Sequence, residues 1–269
     1  LCTPFFKAVK NLSEAKIITI DHNPRPLKGY PLKKQLKKRL KGLLYGKYID
    51  VFVGVSEYTK HHILKDFGNY LNGKTFVIYN GISLDDVSYK KNRKNIPQPK
   101  FIIASHLRES KGIQDLITAV FKLPKKIRNK FRVDIYGDGP FREKLEYLTT
   151  KKNLEEQFEF KGSVNNLKRI LSDYDIMLHP TRMECFSLSI LESLAANVPV
   201  VTTDVGGNEE VIKNGENGYI FQAQNIEQLS QKLSELYEGN YSLIHDTRQL
   251  IEDKFSLEKM TENYLNLIK

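Results

Sequence analysis

Between Phe101 and Phe221, short apolar runs alternate with longer amphipathic ones, and that alternation leaves the chain few ways to fold. The apolar runs cover 101–105, 132–136, 158–160, 176–178, 198–202 and 218–221, each of strand length. Helical spacing recurs over 113–121, 141–151, 167–171, 187–196, 208–213 and 226–237. Strands separated by helices of crossover length predict a parallel, doubly wound α/β sheet with helices on both faces. Such sheets bind ligands at the carboxyl ends of their strands, so the loops after the apolar runs are where chemistry is expected.

The earlier part of the chain shows the same pattern more thinly. KIITI at 16–20, IDVFVGV at 49–55 and KTFVIY at 74–79 read as strands. Ser56 with Glu57 starts a helix over YTKHHILKDF, and Asn80-Gly81 closes the third strand in a turn. Three strands are few for a doubly wound domain, and the sequence opens on Leu1 rather than methionine. The expectation is a longer protein whose N-terminal domain is incomplete here. The polar, basic and proline-punctuated stretch VSYKKNRKNIPQPK reads as a linker. The expected organisation is a partial N-terminal domain over 1–86, a linker over 87–100, a C-terminal domain over 101–250 and a closing helix over 251–269. That helix carries Leu257, Met260, Tyr264, Leu265 and Ile268 on one side.

The net charge is +10, and its placement narrows the setting. Between Pro31 and Tyr48 lie seven Lys/Arg (Lys33, Lys34, Lys37, Lys38, Arg39, Lys41 and Lys47) and no acid. Leu32, Leu36, Leu40, Leu43 and Leu44 recur at helical spacing, giving one apolar stripe on a basic helix. Two readings stand: a surface helix packing its leucines on its own domain, or a helix lying on an anionic membrane. No aromatic side chain interleaves with the lysines from Lys33 to Lys41, which argues against nucleic acid. No apolar run approaches the roughly 18 residues of a spanning helix, and the opening LCTPFFKAVKN lacks signal-peptide character. Cys2 and Cys185 are too isolated for a disulfide framework or a zinc site. A cytoplasmic protein is expected, peripheral on the inner face of the membrane if the basic helix lies there.

Four expected rim loops carry ligand chemistry. SHLRESKG offers His106, Arg108 and Lys111; YGDGP offers Gly137 and Gly139, for close backbone approach or for a tight turn. HPTRMECFSL offers Glu184 and then the helix-opening Phe186, Ser187 and Leu188, whose N–H groups lack intrahelical partners. Glu192 follows eight residues after Glu184, and TDVGGNEE supplies paired glycines before another helix. Cations and N–H groups suit phosphate, and carboxylates suit sugar hydroxyls.

The combined stretch HPTRMECFSLSILESLAANVPVVTTDVGGNEEVIKNGENGYIF resembles the donor-site segment of glycosyltransferase family 4, the retaining GT-B enzymes with an E-x(7)-E signature. SHLRESKG is similar to that family's G-R-L-x-x-x-K-G, YGDGPFREKLE to its G-x-G-P segment, and Ser56 and Tyr79-Asn80-Gly81 to the end of its N-terminal domain. The resemblance implies two Rossmann-like domains, the N-terminal one incomplete here. It also implies a metal-independent transferase that needs no cofactor beyond its UDP- or GDP-linked sugar donor. The expected acceptor is a polysaccharide or a lipid-linked saccharide. By resemblance, Glu184 would contact the donor sugar and His22 would reach the transferring sugar from across the cleft, which makes these two the candidate catalytic residues. Glu192 would hold the ribose. Arg108 and Lys111 would sit against the diphosphate, aided by the N–H groups of Phe186, Ser187 and Leu188, with Gly137 and Gly139 also on the donor side.

Three positions depart from the family pattern: His106 replaces an arginine, and Cys185 and Ser187 replace glycines. Other readings stay open. Glu192 can close a capping box with Ser189, and Asp173-Tyr174-Asp175 has the form of a metal motif but directly precedes the strand IMLHP and reads better as a helix end, so no metal site is expected. A glycosidase needs carboxyls about 5–9.5 Å apart. Eight helical residues span about 12 Å, although Glu184 lies in the loop. A different class of function is a donor-binding subunit or remnant that needs a partner chain for its acceptor site.

Overall fold

The computed structural model describes residues 1–91, 97–241, 243 and 246–268. In the first part, the strands β1 (Ile18–Asp21), β2 (Val51–Gly54) and β3 (Thr75–Val77) form a parallel sheet in that order. Ile18 pairs with Val51, and Phe52 with Thr75. The helices are α1 (Pro4–Leu12), α2 (Leu32–Tyr45) and α3 (Glu57–Phe67). Ser56 caps α3 by accepting from Thr59 N, as its Ser-Glu start predicts. Strand β2 is buried along its whole length, because alternate side chains enter different cores. Phe52 joins Ile49, Ile63, Phe67 and Leu71 on one face, while Val51 and Val53 join Ile78 on the other.

The second sheet contains β4 (Phe101–Ala104), β5 (Val133–Tyr136), β6 (Phe158–Gly162), β7 (Ile176–His179), β8 (Val200–Thr203) and β9 (Gly218–Phe221). All pairs are parallel, in the order β6-β5-β4-β7-β8-β9. The first three strands run outward in one direction and the next three in the other, so β4 and β7 flank a topological switch point where ligands bind. Its helices are α4 (Ile113–Lys122), α5 (Lys125–Arg128), α6 (Arg142–Lys151), α7 (Leu167–Ile170), α8 (Leu188–Ala195), α9 (Asn208–Val211), α10 (Ile226–Tyr237) and α11 (Arg248–Lys254). Phe101 and Ile103 of β4 enter one core with α4 and α10, and Ile102 and Ala104 enter the other with α8. Burial on both faces explains why this strand reads as a continuous apolar run.

Of the linker expected at 87–100, residues 92–96 lie outside the described residues. The part before them is not free: Lys90 N donates to Ala196 O at 3.0 Å, and its ammonium pairs with Asp175. Asp175 Oδ2 also accepts from Lys100 N at 2.7 Å. Tyr174, whose carbonyl also accepts from Lys90 Nζ, and Asp175 therefore tie this segment to the sheet.

Two helix faces bear on the sequence pattern. The last helix, α12 (Leu257–Ile268), returns to the first sheet and packs Met260, Tyr264 and Leu267 against Val51, Val53 and Ile78. Leu257, Leu265 and Ile268, read on the same side as Met260 and Tyr264, are exposed. The packed row, Met260, Tyr264 and Leu267, thus lies beside the centre of the apolar stripe. In α2, the leucine stripe does not pack on the domain at all. Its one buried residue is Gly42, and all five leucines are exposed.

Candidate functional site

Four loops at the carboxyl ends of β4, β5, β7 and β8 are laced together by backbone bonds. Leu107 N donates to Asp138 O at 2.9 Å, Arg182 N to Ser110 O at 2.8 Å, and Gly207 N to Cys185 O at 3.0 Å. Gly206, at φ +68°, lies so close that a Cβ there would stand 2.4 Å from Glu184 O. Gly137 and Gly139 serve the same end. A Cβ at Gly137 would lie 1.9 Å from Ser105 O, and one at Gly139 would lie 2.5 Å from Leu107 O. Beside the two uses expected for these glycines, ligand approach or a tight turn, the structure displays a third, loop-to-loop seating. Gly137 also lines a pocket of about 290 Å³ with His106, Tyr136, Ser163 and Leu167, at the ends of β4, β5 and β6.

Lys111 and Glu184, 73 residues apart, meet on this rim. Lys111 Nζ stands 2.8 Å from Glu184 Oε2. Burial by itself would raise the Glu184 pKa, but the adjoining His179 imidazole and the Lys111 ammonium outweigh it and hold the carboxyl at about 2. The other oxygen accepts from Cys185 N at 3.1 Å. His179, at the end of β7, was not singled out from the sequence. Its Nε2 is 3.6 Å from Glu184 Oε2 and has no hydrogen-bond partner among the described residues. Full burial lowers its pKa, so the imidazole is neutral.

Behind the loop, Ser187 is the N-cap of α8, and Leu188 is the first helical residue. The N–H groups of Ser187 and Leu188 have no backbone acceptor among the described residues outside the helix. Phe186 is buried against Tyr79 and Phe255, at ring centroid distances of 5.2 and 5.6 Å. Four residues into α8, Glu192 is half-buried with its pKa raised by desolvation, which Lys168 of α7 only partly offsets. No capping box forms: the Ser189 hydroxyl pairs with Ser187 Oγ at 3.0 Å instead. Arg108 is exposed on the rim at the start of the turn that carries Lys111. Arg182, in the β7 loop, is committed elsewhere through both oxygens of Asp115.

The first sheet closes over this rim. His22 is exposed, and its carbonyl accepts from Cys185 Sγ at 3.1 Å. Burial, then the Glu184 charge, pushes that thiol up to about 11, so it stays protonated and able to donate. Ser56 Oγ donates to Cys185 O at 3.2 Å. Glu210, at the start of the β8 crossover, accepts from Glu57 N and Tyr58 N at 2.8 and 2.9 Å, covering the N-terminus of α3. The structure thus brings the His22 backbone, Glu184 and Lys111 to the rim beside the α8 N-terminus; Glu192 sits deeper, toward α7.

A family model described as "Glycosyl transferases group 1" matches residues 85–254. The chain is 29% identical over 157 residues to the poly(ribitol-phosphate) alpha-N-acetylglucosaminyltransferase of Staphylococcus aureus, covering 57% of this chain and 32% of that protein. It is 28% identical over 228 residues to the GtfA subunit of UDP-N-acetylglucosamine–peptide N-acetylglucosaminyltransferase of Streptococcus agalactiae, covering 80% and 44%. The chain therefore spans less than half the length of either curated relative. Anabaena Alr3699/HepE in complex with UDP superposes at a TM-score of 0.80 with 18% identity, covering 96% of this chain and 73% of that one. The likeness in structure places both sheets in the GT-B arrangement, and the family model covers more than half of the sequence: the chain belongs to the group 1 glycosyl transferases.

Proposed function

We propose that the protein is a retaining, metal-independent glycosyltransferase of the family 4 type, moving a sugar from a UDP- or GDP-linked donor to a polysaccharide or lipid-linked saccharide. The observation that carries this reading is the Lys111–Glu184 pair on the β4 and β7 loops, beside the uncapped N-terminus of α8. Breaking a sugar–diphosphate bond leaves negative charge on a phosphate oxygen. Lys111, Arg108 and the Ser187 and Leu188 N–H groups are the donors placed to stabilise it. Glu184, fully ionised, accepts from sugar hydroxyls, and Glu192 accepts from the ribose. His22 approaches the transferring sugar from the opposite wall. In a retaining course the acceptor hydroxyl attacks the anomeric carbon on the face the phosphate leaves: the C–O bond to phosphate breaks, the C–O bond to acceptor forms, and the proton passes to the departing phosphate. The S. aureus relative, by name, glycosylates a phosphate polymer, which supports a polymeric acceptor.

A second reading has its own support. The S. agalactiae relative is called a subunit. A donor-binding chain completed by a partner would bind nucleotide alone and transfer sugar only with that partner present.

Glu192→Gln tests the donor assignment. Its carboxylate is desolvated and has no hydrogen-bond partner among the described residues, a cost that a bound ribose would relieve. The variant is expected to bind UDP- or GDP-sugars about tenfold more weakly by calorimetry, yet to unfold at higher temperature. Because the folded pKa is raised, the cost of charge is present at neutral pH and vanishes below the ordinary carboxyl pKa of about 4.3. The gain in stability should vanish with it. Unchanged donor affinity in Glu192→Gln and in Lys111→Ala together would refute the site.

A further inference from the structure

Helix α2 is mounted with Gly42 and Lys38 toward the domain. Gly42 faces α3 so closely that a Cβ would stand 1.8 Å from Phe67 O. Lys38 Nζ reaches Asp66 Oδ2 at 2.7 Å. Lys34 and Lys38 both lie 4.0 Å from the Tyr30 ring centroid. The opposite side carries Leu32, Leu36, Leu40, Leu43 and Leu44, which fall within an arc of roughly 120° at about 100° per residue. These five are 77%, 70%, 56%, 61% and 49% exposed. A surface helix ordinarily turns its apolar stripe to the core; this one spends Gly42 and Lys38 on the core and holds its leucines out along 14 residues, about 21 Å.

We infer that the outward face of α2 docks on an anionic lipid surface, leucines entering the headgroup boundary. The charge pattern selects that occupant. Lys33, Lys37 and Lys41 form the row beside the leucines, and Arg39 lies on the other flank, so an inserted stripe would sit between cations. Each cation near an anionic leaflet strengthens binding about fivefold. A second copy of the chain would instead bring the same cations against each other, a contact that like-charge repulsion disfavours. The inference goes beyond the transfer reaction and does not use the donor site.

The test is flotation of the full chain with vesicles of phosphatidylcholine alone and of phosphatidylcholine mixed with phosphatidylglycerol, at low and high salt. The protein is expected to float with the mixed vesicles only and to be partly released by salt. Leu36→Glu combined with Leu40→Glu should weaken binding at least about tenfold and leave the melting temperature unchanged, since both side chains are exposed. Lys33→Glu with Lys37→Glu should weaken it similarly while keeping the leucines. Failure of the parent to float at low salt would overturn the inference, as would leucine variants that float as well as the parent. So would a dimer of the parent that Leu36→Glu dissociates, which would assign the stripe to a second copy.

Discussion

Lys111→Ala is expected to lower the rate of sugar transfer by about 10²–10³, the loss typical when one preorganised charge or donor is removed from a developing anion. The size follows from what else is there: Arg108 is exposed, and Arg182 is held by Asp115. Among the described rim cations, Lys111 is the one already lodged in the cleft. While it is bound at 2.8 Å to Glu184, however, part of its charge is already neutralised by that carboxylate. A diphosphate bound there would compete with Glu184 for the ammonium, and His179, whose unpartnered Nε2 points at the same oxygen from 3.6 Å, would remain to hold the carboxylate.

That competition separates two variants. Glu184→Gln removes the charge holding Lys111, so UDP, which has a diphosphate and no sugar, should bind as well or better. Transfer from the nucleotide-sugar should nonetheless fall about 10²-fold or more. Lys111→Ala should weaken UDP and slow transfer together. The pH course is set by the depressed Glu184 pKa. The pair's contribution is complete above the ordinary carboxyl pKa and is lost only as pH falls through about 2. An acid limb of the activity profile near neutrality must therefore come from another group. If Glu184→Gln weakens UDP as much as Lys111→Ala does, the two residues do not compete and the assignment of roles fails.

The parts of this site that lie within one strand–loop–helix unit are legible in the sequence. Glu184, Ser187, Leu188 and Glu192 follow β7 in a single stretch, and local rules place them: a strand end, a loop, a helix start. Contacts between units are not legible. Nothing in local spacing pairs Lys111 with Glu184, or sends Glu210 over the N-terminus of α3 more than 150 residues away. His179 was hidden differently, since an apolar strand ending in His-Pro reads as a core position and only its unpartnered nitrogen gives it away. Periodicity has the same limit in helices. It correctly put the α2 leucines on one face but cannot say whether that face points in or out, and in α12 the packed row lies beside the centre of its stripe. Direction is decided by tertiary contacts such as Gly42 on Phe67, which sequence pattern does not encode.

The largest loss of stability is expected from Arg25→Ala. Arg25 is 3% exposed, and it joins Asp21 and Asp66, which are 1% and 7% exposed. Its Nη2 meets Asp21 Oδ2 at 2.6 Å and its Nε meets Asp66 Oδ2 at 3.0 Å. Burial works against the Asp21 charge, but Arg25 and the Asn23 donors prevail and lower its pKa below the usual range. Without Arg25, Asp66 keeps Lys38, whereas Asp21 is left as a buried carboxylate with only Asn23 to bond it. Removing one partner from such a cluster costs about 3–5 kcal/mol, mostly the penalty of the stranded charge. Urea unfolding at neutral pH should read that loss as a lower midpoint. Since the folded Asp21 pKa is depressed, the parent's advantage is full above the ordinary value of about 3.9 and declines as pH falls below it, so the two proteins should converge in acid. Asp21 Oδ1 also accepts from Asn23 N at 2.9 Å and so shapes the turn that carries His22. Arg25→Ala should accordingly slow transfer more than it weakens UDP, whose proposed contacts all lie on the other sheet. A loss below about 1 kcal/mol would mean that neighbouring lysines replace the guanidinium, since exposed pairs are worth no more than that, and that the cluster is a solvated ion pair rather than a buried anchor for the cleft.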